Sequence, residues 1–137
     1  MKQATFVFLL LFAMAFAACG DSTPAPSSIR VELSEWTVSP DVTTVAAGSV
    51  SFTASNAGRT DHELVVLKTD RAPDKLVSDS ARVDEAASGT VVGEIEEGLA
   101  VGGSRTASFD LQPGKYVLFC NLLGHYDAGM SVALTVR

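Results

Sequence analysis

The chain has 137 residues and a formal net charge of −6, and it contains only two Cys, two His, three Met and one Trp. This length accommodates one domain, and the acidic charge argues against nucleic-acid binding, which relies on positive charge. Two Cys cannot form a four-thiolate zinc or iron–sulfur centre, and two His cannot form a three-His zinc site. Any metal or catalytic site must therefore use a very small set of residues.

The first 18 residues have the pattern of a secretory signal peptide. Lys2 and Gln3 precede an apolar stretch, 4–18, in which Thr5 is the only polar residue. This stretch is shorter than the ~18 residues of a membrane-spanning helix, and it ends in small residues. We therefore predict that residues 1–18 form a signal peptide and that the protein is exported.

The end of this segment resembles the lipobox of bacterial lipoproteins. Phe16, Ala17 and Ala18 precede Cys19 and Gly20, and in such lipoproteins the Cys carries the lipid. The resemblance implies that Cys19 is the lipid attachment site, that this lipid is the only membrane anchor, and that the protein faces the periplasm or the cell exterior. The alternative is an ordinary signal peptide that is cut near Ala18 and leaves Cys19 as a spare thiol.

The remainder of the chain divides into a tether and one β domain. Residues 19–28 are rich in Pro and Ser, which predicts a tether with nothing to pack. In residues 29–137 apolar and polar residues alternate, which is typical of half-buried strands. About eight such runs, separated by turn residues, predict an all-β Greek-key sandwich or barrel. The runs lie at 29–33, 42–46, 50–54, 62–67, 91–96, 105–111, 116–121 and 130–136. The run 62–67 is more densely apolar than the others, which predicts a central strand covered on both faces.

Residues 69–89 depart from this alternation. The segment is polar and charged and rich in Ala, Asp and Ser, and Pro73 can begin a short helix. We expect a solvated loop between two strands, with at most one or two helical turns.

The chemically reactive side chains of the domain fit one arrangement. Four residues separate Cys120 from His125, and four more separate His125 from Met130, while the only other His is His62, at the head of a predicted strand. Two imidazoles, a thiolate and a weak axial thioether are the ligands of a mononuclear blue-copper site. Taken singly, Met130 and Cys120 are also typical of ordinary core packing. Their combination and strand phase favour one copper ion bound by His62, Cys120, His125 and Met130.

Other chemistries fit these residues less well. Zinc gains little from a thioether, and a dinuclear copper centre would need two bridging Cys where the domain has one. A Cys–His hydrolase would need a third, orienting group and an oxyanion site, for which there is no motif. We therefore predict that the protein is not an enzyme.

Residues 114–130 resemble the copper loop of the cupredoxins, the type 1 blue-copper proteins. The loop spacing is closest to that of auracyanin, rusticyanin and sulfocyanin, and the resemblance extends over residues 29–137. Asn56, Gly58 and His62 resemble the family's segment that carries the first His ligand. One difference is Glu63, since family members often have Asn directly after this His.

The resemblance implies a function as well as a fold. Cupredoxins carry single electrons between redox proteins, and here the partners would be extracytoplasmic. Their fold would place His125 on an end loop, where Leu122, Leu123 and Tyr126 would form an apolar patch for brief docking. The predicted mature chain has nine basic and 16 acidic residues, a negative charge that suits basic partners and that solubility alone explains equally well. The alternative is a protein for copper delivery or sequestration that has no electron-transfer partner.

Overall fold

Nine β-strands form most of the computed structural model, which describes residues 27–79, 81–96 and 99–137. The predicted signal peptide 1–18, Cys19 and most of the predicted tether 19–28 lie outside the described residues. The strands are β1 Ser27–Ser34, β2 Thr37–Pro40, β3 Thr44–Val45, β4 Gly48–Asn56, β5 Leu64–Lys68, β6 Thr90–Ile95, β7 Ser104–Leu111, β8 Gly114–Phe119 and β9 Ser131–Val136.

The strands pair into two mixed sheets. One has the order β2-β1-β4-β7 and the other the order β3-β9-β8-β5-β6. The β1–β4 and β3–β9 pairs are parallel, and the others are antiparallel. The predicted all-β sandwich is confirmed. The one strand that the sequence pattern did not predict is β2. Its only buried apolar side chain is Val38, so the sequence shows no alternation there.

The main core lies between the two sheets, and alternate side chains of the strands enter it. β5 differs because four successive residues are buried. Leu64 and Val66 belong to the main core, whereas Val65 and Leu67 belong to a second cluster on the other face of the sheet. This arrangement confirms the sequence-based expectation of a central strand that is covered on both faces.

The 69–89 segment provides the cover for this second face. It contains a single 3-10 turn, Pro73–Lys75, and a four-residue helix, α1 Glu85–Ser88. Leu76 and Val83 are buried in the second cluster. The prediction of one or two helical turns is confirmed, but the segment is packed on the sheet and is not a fully solvated loop.

In the described part of the chain, no helix is long and apolar enough to cross a membrane.

Candidate metal centre

Three of the four predicted ligands come together at one end of the sandwich. The donor atoms of His62, Cys120 and His125 all lie within 4.8 Å of one another. His125 Nδ1 is 3.3 Å from His62 Nδ1 and 3.3 Å from Cys120 Sγ. His62 and Cys120 are buried, and His125 is half-buried. The two imidazoles and the thiol therefore face a common point.

The strand order explains this convergence. β8 is antiparallel to both β5 and β9, so the end of β8 lies beside the start of each neighbour. Cys120 follows β8, His62 precedes β5, and Met130 precedes β9. The backbone N–H of Cys120 donates to the carbonyl of Met130 at 3.1 Å, and the N–H of Met130 donates to the carbonyl of His125 at 3.2 Å. Met130 is fully buried in the main core, to which Cys120 also belongs.

Asn56 holds the loop that leads to His62. Its side-chain amide donates to the carbonyls of Thr60 and Leu99, both at 2.7 Å, and its side-chain oxygen accepts from the N–H of Gly58 at 2.8 Å. The N–H of His62 also donates to the Leu99 carbonyl, at 3.1 Å. The asparagine is buried, so its three hydrogen bonds form largely away from water and fix the loop.

Glu63, where the chain departs from the cupredoxin pattern, connects the two halves of the site. Its N–H donates to Cys120 Sγ at 3.5 Å, and its carboxylate accepts from the N–H of Asn121 at 3.0 Å. Burial raises the pKa of the Glu63 carboxyl, and the Asn121 hydrogen bond opposes this rise. The glutamate thus provides backbone and side-chain links between the residues that follow His62 and Cys120.

Two further residues, absent from the sequence-based site, contact the imidazoles from the turn between β1 and β2. Glu35 Oε1 lies 3.2 Å from His62 Nε2, and Trp36 packs edge-on against His125 with ring centroids 5.1 Å apart. Trp36 is 46% exposed. The only feature of the sequence that pointed to Trp36 was that it is the chain's single Trp. Nothing pointed to Glu35, because a contact between a turn and a distant loop produces no spacing pattern.

The loop between β8 and β9, which carries His125, is attached to the 69–89 segment. The Asn121 side chain accepts from the N–H of Val83 at 2.6 Å and donates to the Glu85 carboxylate at 2.7 Å. The Tyr126 hydroxyl accepts from the N–H of Leu76 at 2.9 Å and donates to the Pro73 carbonyl at 2.8 Å. These bonds fasten the loop at two points to a segment that lies outside the two sheets.

This attachment corrects the predicted apolar patch. Tyr126 is only 8% exposed and packs in the second cluster against Phe119, so it cannot belong to an exposed docking patch. Leu122 is half-buried, whereas Leu123 is 70% exposed. The exposed apolar side chains near His125 are therefore Leu123 and Trp36.

The electrostatics suit the ligand roles. Burial lowers the pKa of His125, and the neighbouring His62 lowers it further, which favours the neutral imidazole that binds metals. Burial raises the pKa of the Cys120 thiol, although the N–H groups of Glu63 and Leu122 counteract part of this effect. A thiolate at this position thus requires a compensating cation. Two imidazoles and a buried thiol that can lose its proton fit one copper ion.

The comparisons with known proteins agree with this geometry. Residues 5–133 match the family described as "Cupredoxin-like domain", and no curated protein gives a significant match. Dithionite-reduced auracyanin from Roseiflexus castenholzii is 22% identical with a TM-score of 0.60, over 83% of this chain and 99% of that chain. Auracyanin A from Chloroflexus aurantiacus is 20% identical with a TM-score of 0.56, over 82% and 100%. Reduced rusticyanin is 16% identical with a TM-score of 0.57, over 83% and 82%.

The two sheets, the convergent His62, Cys120 and His125 and the match over most of the chain lead to one conclusion. The chain belongs to the cupredoxin-like domain family, and its donor set is that of a protein with one copper ion.

Proposed function

We propose that this protein is an electron carrier, and not an enzyme, whose single copper ion is bound by His62, Cys120, His125 and Met130. The observation that carries the proposal is the convergence of the donor atoms of His62, Cys120 and His125 within 4.8 Å of one another. Copper bound there would supply reversible one-electron chemistry between Cu(I) and Cu(II). Met130 would be the fourth, weakly bound ligand, since it is buried and its backbone is hydrogen-bonded to Cys120 and His125.

The contribution of the protein is to hold these side chains still. His62, Cys120 and Met130 each adjoin a strand of one sheet, and the loops between them are fixed by buried hydrogen bonds. A site whose ligands cannot move far keeps nearly the same geometry in both oxidation states. Such a site suits electron transfer without bond making or breaking.

The similar structures support a redox role for this fold. Auracyanin A is described as a "blue" copper protein, and the auracyanin and rusticyanin structures were both determined in reduced forms. By analogy, we infer that the chain cycles between oxidation states. The predicted signal peptide 1–18 and lipid attachment at Cys19 place this activity, in our proposal, on the outer side of a membrane.

We propose that a basic redox protein docks transiently where His125 approaches the surface. Trp36 and Leu123 provide exposed apolar contacts there, and small interfaces suit brief encounters. Four glutamates lie close enough together to influence one another's charge, and their carboxylates would attract a basic partner. They are Glu63, Glu85, Glu94 and Glu96. Leu123→Lys should slow electron exchange with such a partner, because it removes an apolar contact and adds a charge that repels a basic surface, while leaving the visible spectrum intact. An unchanged rate would contradict this docking site.

Copper delivery or sequestration is the second candidate. A copper donor needs ligands that an acceptor protein can reach, whereas His62, Cys120 and Met130 are all at most 2% exposed. Slow copper release and fast, reversible reduction in cyclic voltammetry would support the electron carrier. Rapid copper transfer without reversible reduction would support delivery.

The decisive experiment compares the two cysteines of the chain. Cys120→Ser should abolish the intense thiolate-to-copper absorption band and the matching electron-spin-resonance signal of the Cu(II)-loaded protein. Cys19→Ser is the matched control and should retain both signals. Correctly folded wild-type protein that shows no such band would disprove the copper site.

A further inference from the structure

His62 Nε2 occupies an unusual position for a polar atom in this protein. The His62 side chain is fully buried, and among the described residues Nε2 is the one buried side-chain nitrogen or oxygen without a hydrogen bond. The opposite ring atom, Nδ1, faces His125. Glu35 Oε1 lies only 3.2 Å from Nε2, so distance permits a hydrogen bond and the present angle does not. A small rotation of the ring or carboxylate would complete it.

The Glu35 carboxylate is itself held in place. Oε1 accepts from the N–H of Arg59 at 2.8 Å and from the N–H and hydroxyl of Thr60, both at 2.9 Å. These three donors fix the oxygen beside the ring and favour the charged carboxylate. The carboxylate is thus positioned by the same loop that carries His62.

Gly58 supplies independent evidence that the space between these groups is constrained. A Cβ at this position would lie 2.5 Å from Glu35 Oε1 and 2.8 Å from His62 Nε2. Any other residue would therefore push the carboxylate away from the imidazole. Asn56 accepts from the N–H of Gly58, which keeps the glycine backbone at the point of closest approach.

We propose that Glu35 is a positioning residue for His62. The Glu35 carboxylate accepts a hydrogen bond from the Nε2–H group of His62 and so leaves the Nδ1 lone pair directed toward Cys120 and His125. The proposal rests on the proposed function in taking His62 as a copper ligand. A carboxylate behind a ligating imidazole fixes its tautomer and orientation and makes it a stronger donor. The added negative charge favours Cu(II) over Cu(I), so Glu35 lowers the reduction potential.

The test uses Glu35→Gln, which retains an oxygen for the Arg59 and Thr60 donors but removes the charge. We expect about a 10-fold loss of Cu(II) affinity relative to Cu(I) affinity, which corresponds to a potential about 59 mV higher. Glu32→Gln is the matched control, because it removes an exposed carboxylate from β1, the strand that leads into the Glu35 turn, and should leave the affinity ratio unchanged. An equal ratio in Glu35→Gln and wild-type protein would overturn the proposal, since it would leave Glu35 only a structural role.

A second measurement uses the metal-free protein and so does not depend on copper. In the wild type, nitrogen-15 NMR of the His62 ring should show a protonated Nε2 whose proton exchanges slowly with solvent. Glu35→Ala and Gly58→Ala should each accelerate that exchange. An unprotonated Nε2 in the wild type, or exchange that neither variant alters, would contradict the proposal. Wild-type protein with the protected proton but no copper band would refute the proposed function alone.

Discussion

The two loops that meet at the copper site are each anchored by a buried asparagine, but the asparagines bond to different parts of the molecule. Asn56 bonds within the first loop and to Leu99, next to the ends of the sheets. Asn121 bonds instead to Val83 and Glu85 of the 69–89 segment. The first loop is therefore secured by the sandwich itself, and the second by an insertion packed outside it.

The difference matches the exposure of the two histidines. His62, on the first loop, is 2% exposed and is backed by Glu35. His125, on the second loop, is half-buried and packs against the exposed Trp36. We infer that the first loop fixes the geometry of the ligands and that the second brings one ligand to the surface, where electrons can be exchanged. Because the two loops are anchored separately, the first can hold the ligand geometry fixed while the second brings His125 to the surface.

Asn56→Ala should have the largest effect, because it removes three hydrogen bonds and leaves the Leu99 carbonyl buried without one of its donors. We expect a loss of about 3 kcal/mol in the free energy of unfolding, together with weaker copper binding through His62. Urea unfolding of the metal-free protein measures the first effect. Ser55→Ala, at a neighbouring half-buried position of β4, is the control, and a comparable loss in that variant would contradict a specific role for Asn56.

Asn121→Ala should cost somewhat less, about 2 kcal/mol, because its partner Glu85 is partly exposed and can be hydrated. Its effect should also be local to the other loop. Hydrogen exchange should accelerate at the N–H of Val83, which loses its acceptor, and not at the N–H of His62. Equal acceleration at both positions would mean that the two loops are not independently anchored.

Tyr126→Phe tests the other attachment of the second loop. Loss of the hydroxyl leaves the N–H of Leu76 without its acceptor, and we expect a destabilisation of about 1 kcal/mol with the copper spectrum retained. Tyr116→Phe is the matched control, because the Tyr116 hydroxyl donates to the Gln112 carbonyl, away from the 69–89 segment. Only Tyr126→Phe should increase proteolysis within residues 69–89, and similar cleavage of both variants would contradict the attachment.

Sequence alone was sufficient for the features that depend on local pattern. Alternation predicted the strands, and the dense apolar run of β5 predicted a strand covered on both faces. Cys120, His125 and Met130 could be placed together because one loop carries all three, and His62 because it was the only His left. The phase of each strand then indicated that these side chains point into the same interior.

Features that depend on distant contacts were beyond such patterns. Leu76 and Val83 are isolated apolar residues in a polar segment, so no periodicity indicated that they cover the second face of the sheet. Tyr126 is buried by the same packing, so the sequence-based expectation that it is exposed was wrong for the same reason. Glu35 and Trp36 occupy a turn, and only the folded structure shows that this turn reaches both histidines.

The smallest expected effect concerns the pH dependence of stability, because the pKa values of Glu94 and Glu35 are shifted in opposite directions. Burial, a hydrogen bond with Glu96 and nearby carboxylates raise the pKa of Glu94 from 4.5 to about 7, whereas that of Glu35 is lowered to about 2. Between pH 4.5 and about 7 the folded protein therefore binds more protons at Glu94 than the unfolded chain does. Stability from this group is present below that window and is lost as the pH rises through it.

Glu94→Gln should consequently flatten the decline in melting temperature between about pH 5 and about pH 7. The change will be small, because Glu94 is exposed and solvent screens its charge, and it should shrink further in high salt. Glu32→Gln, an exposed carboxylate on the other sheet, should leave the decline as it is. Glu35 contributes little to the slope in the upper part of this window, because its carboxylate is then charged in both the folded and the unfolded chain. A decline that persists in Glu94→Gln would show that the raised pKa of Glu94 is not its cause.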